Sequence, residues 1–238
     1  MQPALKDKTV LIIGRGSGIA RAIALAVSED GGRVIAAGRH PDDLAESYRG
    51  MDIGIEHVDV TDEPSIAALA GRITNVDHVV STASARARGG YRDLTASLVN
   101  ASFSAKVTGP ILLAKHLAGK LASGGSFLFM SGATALKPAP GMLAVAATNA
   151  AVDAITAGLA VELAPIRVNS IAPGTIDTGA YDALGEDRKA ALFTNRSAAN
   201  PARRIGTPDD VAAAALMALT NGFLTGTSIP VDGGEHLV

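Results

Sequence analysis

The run Gly14-Arg15-Gly16-Ser17-Gly18-Ile19-Ala20 lies between an apolar stretch, TVLII, and an Ala-rich one, RAIALAV. Glycines there permit a tight strand-to-helix turn and let a ligand approach the backbone, while the amides opening the helix face a pyrophosphate. A glycine run also fits an ordinary βα turn; the strand before it and the helix after it select the nucleotide reading. The next apolar stretch ends Ala37-Gly38-Arg39-His40. An acid at that point would hold a ribose 2′-hydroxyl, whereas a small residue followed by arginine accommodates a 2′-phosphate. With Arg15 as a second cation and His40 able to join the pocket, the expected cofactor is NADP(H).

These groups need a scaffold, and the chain spells one out. Short β-branched runs recur at residues 9–14, 33–38, 53–58, 77–82, 125–131, 166–172 and 225–233, with helix-length Ala/Leu patterns between them. That rhythm predicts an α/β fold: one Rossmann-like, doubly wound domain over residues 1–238, with about seven parallel strands and helices on both faces. Asp42, Asp62 and Thr207-Pro208-Asp209-Asp210 mark helix starts, where short polar side chains cap free amides and Pro208 suits the first turn. The least regular stretch, 178–206, follows a strand end and is expected to act as a substrate lid.

Bulk composition narrows the function classes. The chain is 47% hydrophobic with 26 Gly, and its aromatics are three Tyr and five Phe, which suits buried parallel strands and small-residue helix contacts. Its 21 basic and 23 acidic residues nearly balance, so no nucleic-acid or membrane partner is expected and a small-molecule substrate is. Without cysteine there is no disulfide and no thiolate chemistry. The opening MQPALKDKTV lacks a signal-peptide core and no apolar run approaches a membrane span, giving a cytoplasmic expectation.

Taken together, these motifs resemble the short-chain dehydrogenase/reductase family along nearly the whole chain. GRGSGIA is similar to that family's TGxxxGxG turn, with Ile13 for Thr and Ala20 for the last Gly. Asp59-Val60 resembles its adenine-contacting pair. The segment Ile171 to Thr178 resembles the one that holds the nicotinamide amide and pyrophosphate, which implies roles for Pro173, Gly174, Ile176 and Thr178. Arg204 to Val211, Thr225-Gly226 and Val231-Asp232-Gly233-Gly234 are also similar. Ser81-Thr82-Ala83-Ser84 stands where the family has Asn-Asn-Ala-Gly, which places Thr82 and Ala83 beneath the cofactor. A homotetramer or homodimer is implied, with the helix after Val145 and the C-terminal strand region as interfaces.

Departures from the family pattern fall on the chemistry. Ser131 matches the catalytic serine, but the Tyr-x-x-x-Lys pair aligns with Val145 and Asn149, or with Ala144 and Thr148 if the loop gap shifts by one. Neither register restores the pair. In the resembling enzymes the tyrosine moves the substrate proton and the lysine lowers its pKa. Valine does neither, and Asn149 retains only a hydrogen bond to the ribose. In Ala105-Lys106-Val107-Thr108-Gly109, however, Lys106 replaces the family's helical Asn, so the two slots have exchanged residue types. Either Lys106 reaches the same cavity, to polarise a carbonyl or transfer a proton, or it is a surface lysine.

Only Tyr48, Tyr91 and Tyr181 are available as substitute donors. Tyr48 falls in a helix region and is expected to be structural. Tyr181, just past the nicotinamide segment, is the better placed catalytic candidate, against a packing role in the lid. Arg86 and Arg88, in SARARGGY, offer a clamp for an anionic substrate group or are simply solvated. His57, His78 and His116 lack metal-ligand spacing, and the carboxylates form no evident acid/base pair. The expected function is an NADP(H)-dependent oxidoreductase acting on a carbonyl/alcohol, C=N or C=C group, with Ser131 orienting the substrate. The alternatives are a weakened NADP(H)-binding sensor or regulator, and a non-redox isomerase or dehydratase on the same fold.

Overall fold

In the computed structural model, which describes residues 3–238, seven parallel strands form one sheet in the order β3-β2-β1-β4-β5-β6-β7. They are β1 (Thr9–Ile13), β2 (Arg33–Gly38), β3 (Ile53–His57), β4 (Val76–Ser81), β5 (Leu121–Met130), β6 (Arg167–Pro173) and β7 (Ser228–Val231). Each expected run is a strand. The order reverses between β1 and β4, and such a switch point opens a crevice at the carboxyl ends of the strands.

Period-two alternation sends successive side chains of one strand into different cores. Val10 and Ile12 face a cluster formed with α1 (Gly18–Glu29), α2 (Pro41–Ser47) and α8 (Pro208–Thr220). Leu11 and Ile13 face the opposite cluster, with α3 (Glu63–Arg72), α5 (Gly109–Leu117) and α6 (Leu143–Glu162). All four are buried, so the strand reads as a continuous apolar run rather than an alternating one. On the first face α1 and α8 meet through Ala20, Ala24, Ala212 and Ala215, whose small side chains let the helices approach closely.

Helix starts follow the cap residues at two of the three marked places. Asp62 accepts from Ser65 N, and Thr207 forms a capping box with Asp210 ahead of α8. At α2 the expectation is corrected: His40 occupies the cap position without a side-chain bond, and Asp42 sits in the first turn. Pro41 at the helix start sets this boundary, and Asp42 complements the dipole instead of capping it.

Two further corrections concern length and regularity. The stretch 178–206 contains a short 3₁₀ turn, Asp182–Leu184, and α7 (Glu186–Ala199), which has no buried residue. Its polarity comes from a helix lying on the surface, not from irregular backbone. Residues Leu143–Glu162, in contrast, have the length and apolar content of a bilayer span, with mean hydropathy 1.5. Valine, leucine and isoleucine, added to many alanines, give that hydropathy, and α6 packs along β6 with Thr148, Asn149 and Val152 on its buried side.

Candidate active site

At the carboxyl end of β1 the chain turns through Gly14–Ser17 into α1. Gly14 N donates to Ala37 O at 2.9 Å, drawing the turn against the end of β2. A Cβ on Gly38 would lie 2.7 Å from Gly14 O, so that approach requires glycine. Gly18 has φ +56, and a Cβ there would come 3.1 Å from Thr178 Cβ. The turn and the segment after β6 therefore close on one another across the crevice. Ser17 is extended, makes no side-chain cap, and leaves the first amides of α1 without a side-chain acceptor.

Around that turn stand the other expected contacts. Ile19 is half-buried in the first turn of α1, and Arg15, Arg39 and His40 are exposed. Thr82 anchors the end of β4 through its amide to Ile13 O at 2.8 Å, with Ala83 half-buried beside it. Val60 is buried. Asp59 accepts from the Thr61 hydroxyl at 2.7 Å and from the Thr61 amide at 2.9 Å. Burial works to raise its pKa, yet these bonds and the charges of Arg39 and His57 hold it below the usual value. Pro173 ends β6, Gly174 N donates to Val231 O at 3.1 Å, and Ile176 is buried where it pairs with Gly206.

The second half of the site is built on a helix defect. A π-helical turn, Ser104–Thr108, joins α4 (Ala96–Phe103) to α5. Pro110 explains it in part: it has no N–H for the Lys106 carbonyl four residues earlier, and a widened turn absorbs the mismatch. The turn brings Lys106 inward. Its side chain is buried; Nζ donates to Ser131 O at 2.9 Å and to Asn149 Oδ1. Ser131 Oγ donates to Asn149 O at 3.0 Å, and Asn149 Nδ2 donates to Thr134 Oγ1 at 2.7 Å. Burial, followed by the charge of Arg86, lowers the Lys106 pKa to about 7, against a smaller opposing effect of Asp153.

Thr148 Oγ1 turns back to Ala144 O and Val145 O at 3.0 and 3.1 Å, so Asn149 is the side chain that meets Lys106. Val145 is half-buried and offers no polar atom. Tyr181 packs edge-on against Phe193, with ring centroids 5.5 Å apart, and the Arg88 guanidinium lies 6.0 Å from its centroid. Tyr91 is exposed, whereas Tyr48 is buried as expected. His78 bonds Ser126 inside the fold and His116 bonds Glu63. Sequence reasoning missed Thr134 and Asp153. Asp153 carried a signal, since it follows Asn149 by four residues on the same helix face.

Comparison with known proteins now identifies the fold's lineage. The family model described as Enoyl-(Acyl carrier protein) reductase matches residues 13–236. A short-chain dehydrogenase/reductase of an Acremonium species is 29% identical over 256 residues, covering 97% of this chain and 96% of that protein. The chain belongs to the short-chain dehydrogenase/reductase family. Among solved members of this family, a small-chain dehydrogenase in complex with NADPH is 31% identical, with a TM-score of 0.83 over 98% of this chain and 100% of its own. The MalC reductase/Diels-Alderase of Malbranchea aurantiaca is 28% identical, with a TM-score of 0.92 over 100% of this chain and 99% of its own. In this short-chain dehydrogenase/reductase, Lys106, Ser131 and Asn149 meet at one buried corner.

Proposed function

We propose that this short-chain dehydrogenase/reductase is an NADP(H)-dependent oxidoreductase acting on a small molecule with a carbonyl/alcohol, C=N or C=C group. The cradle suits the cofactor: the close approach at Gly38, the uncapped amides of α1 and the exposed Arg15 and Arg39 match a pyrophosphate and a 2′-phosphate. Complex formation with NADPH by the small-chain dehydrogenase of the same fold supports this choice. In the bound state the nicotinamide supplies hydride exchange, leaving the protein to orient the substrate and manage the proton.

The observation that carries the reading is the Lys106 corner. An ammonium has three N–H donors; two are used on Ser131 O and Asn149 Oδ1, and the third is left for a substrate oxygen. With a pKa of about 7, Lys106 exists in both forms near neutrality. The charged form polarises a carbonyl and donates a proton; the neutral form accepts one. Asn149 and Ser131 O hold the amine in place, and Thr134 fixes Asn149 in turn. Ser131 Oγ, whose proton is given to Asn149 O, retains lone pairs to accept from a substrate hydroxyl. The opposing view, a binding or non-redox protein, is favoured by Val145, which removes the family's proton donor.

Two measurements test the proposal. NADPH and NADH affinities from equilibrium binding should differ in favour of NADPH, and a carbonyl panel followed by NADPH absorbance should reveal turnover. NADPH affinity without oxidation of any panel member would favour the sensor. Substrate conversion with the cofactor left unchanged would favour the isomerase or dehydratase. We also propose a homodimer or homotetramer joined along α6, where Ala147, Ala150, Ala154 and Ala157 are exposed on one face. Size-exclusion chromatography with light scattering showing only monomer would overturn that assembly.

A further inference from the structure

The loop after β4 carries Arg86 and Arg88, and among the described residues neither forms a salt bridge or a hydrogen bond with the protein. Two guanidinium groups on the loop that follows β4, with no acidic partner, keep their donors free for an anion. Both side chains are solvent-accessible. Arg86 nevertheless stands in crowded surroundings, and it lies near enough to Lys106 that its charge is felt there. It also feels the charges of Arg88 and Arg15. The loop is not free to swing, since Gly89 N donates to Gly141 O at 3.0 Å and Ser102 Oγ donates to Ala85 O at 2.7 Å.

The other wall is the segment after β6. Arg88 lies over the Tyr181 ring, Tyr181 packs on Phe193, and Lys189 Nζ sits 5.3 Å from the Phe193 centroid. Lys189 is itself held by Asp177 at 3.0 Å and Asp182 at 2.7 Å. That chain of contacts ties the arginine loop to α7, so the two sides of the crevice meet at Arg88 and Tyr181. No carboxylate from either wall reaches the two arginines within ion-pair distance among the described residues.

We propose that Arg86 and Arg88 form a clamp for an anionic group on the substrate, a carboxylate or a phosphate, with its carbonyl directed at Lys106 and Tyr181 covering the bound molecule. The proposal deepens the oxidoreductase reading and rests on it for the fate of the carbonyl. The clamp assigns the substrate class: an oxo acid or oxo phosphate ester, not a neutral aldehyde, ketone or sugar. Arg86 is close enough for its charge to act on Lys106 and Arg88 lies over the Tyr181 ring, so in this clamp one guanidinium sets the reach to Lys106 while the other holds the anion beside Tyr181.

The test uses matched ketones that NADP⁺ cannot convert: 4-acetylbenzoate, 4-acetylphenyl phosphate and neutral 4-methylacetophenone, titrated calorimetrically into the NADP⁺-saturated protein. An anionic ketone should bind at least about tenfold more tightly than the neutral one, as expected for charge-assisted bonds to a guanidinium fork. Whichever anion binds better names the source of the charge. Arg86→Gln and Arg88→Gln should each erase the preference while NADP⁺ affinity changes by less than about threefold. Equal binding of the three ketones, or no binding of any, overturns the clamp. So does a preference that survives both substitutions, or an Arg86→Gln variant that loses NADP⁺ as severely as the ketone, which would assign Arg86 to the cofactor. A parallel NADPH assay separates the two readings. Arginine-dependent binding without turnover upholds the clamp and refutes the oxidoreductase, whereas turnover without anion preference does the reverse.

Discussion

Replacing Lys106 by Met should change how stability depends on pH, because a buried amine with a displaced pKa couples protonation to folding. The folded value, about 7, lies below the unfolded 10.5. Between these limits the unfolded chain binds more protons, so native stability rises with pH across the window and the deficit is complete below about pH 7. The whole displacement corresponds to about 5 kcal/mol, of which about 2 kcal/mol is recovered between pH 7 and 9. Methionine has similar length and does not titrate. It also leaves Ser131 O and Asn149 Oδ1 without their donor, which adds a cost of about 1–3 kcal/mol per buried group, but that offset is independent of pH. Urea unfolding of both proteins at pH 6, 7, 8 and 9 should therefore show the native protein gaining about 2 kcal/mol on the variant from pH 7 to 9. Parallel stability curves would refute the buried, titrating lysine and return Lys106 to an ordinary ammonium.

Three other predictions concern the site. Carbonyl reduction should decline as pH rises through about 7, where Lys106 loses its proton, and Lys106→Ala should cost about 10²–10⁴ in kcat/KM for that reaction; undiminished turnover in this variant excludes the lysine as the proton-handling group. Arg39→Ala should weaken NADPH binding by about 1.5–3 kcal/mol, as for a lost charged hydrogen bond, and leave NADH nearly unchanged; equal losses for both cofactors would remove Arg39 from the 2′-phosphate pocket. Gly18→Ala should destabilise the fold by about 1–2 kcal/mol, because residue 18 has φ +56 and faces Thr178, with NADPH affinity falling in the same equilibrium-binding assay. Wild-type stability in that variant would show that the turn relaxes around it.

Much of the fold was legible because parallel strands buried on both faces are continuous apolar runs, and Val10 to Ile13 could hardly have been anything else. The Gly14–Ala20 turn was readable for a related reason, since glycine at a strand-to-helix junction answers a local backbone demand. Asp62 and Thr207 announced their helices through bonds spanning three residues, whereas Asp42 failed because Pro41 moved the boundary. The helical character of 186–199 was hidden by its lack of a buried face, the usual source of periodicity.

The corner chemistry divides along the same line. By itself the sequence places valine and asparagine at 145 and 149, alanine and threonine at 144 and 148, and a lysine at 106, so neither register of the resemblance carries the Tyr-Lys pair. Whether Lys106 faces solvent or Ser131 depended on one π-helical turn, and whether Thr148 or Asn149 enters the site depended on which hydroxyl bonded its own helix. Rotations of a helix by part of a turn are set by packing against distant residues, such as the contact of Gly109 with Val60. Residue types and their order fix what chemistry is available; the tertiary structure alone brings residues 106, 131 and 149 to one point, because burial decides which amine must share its protons with them.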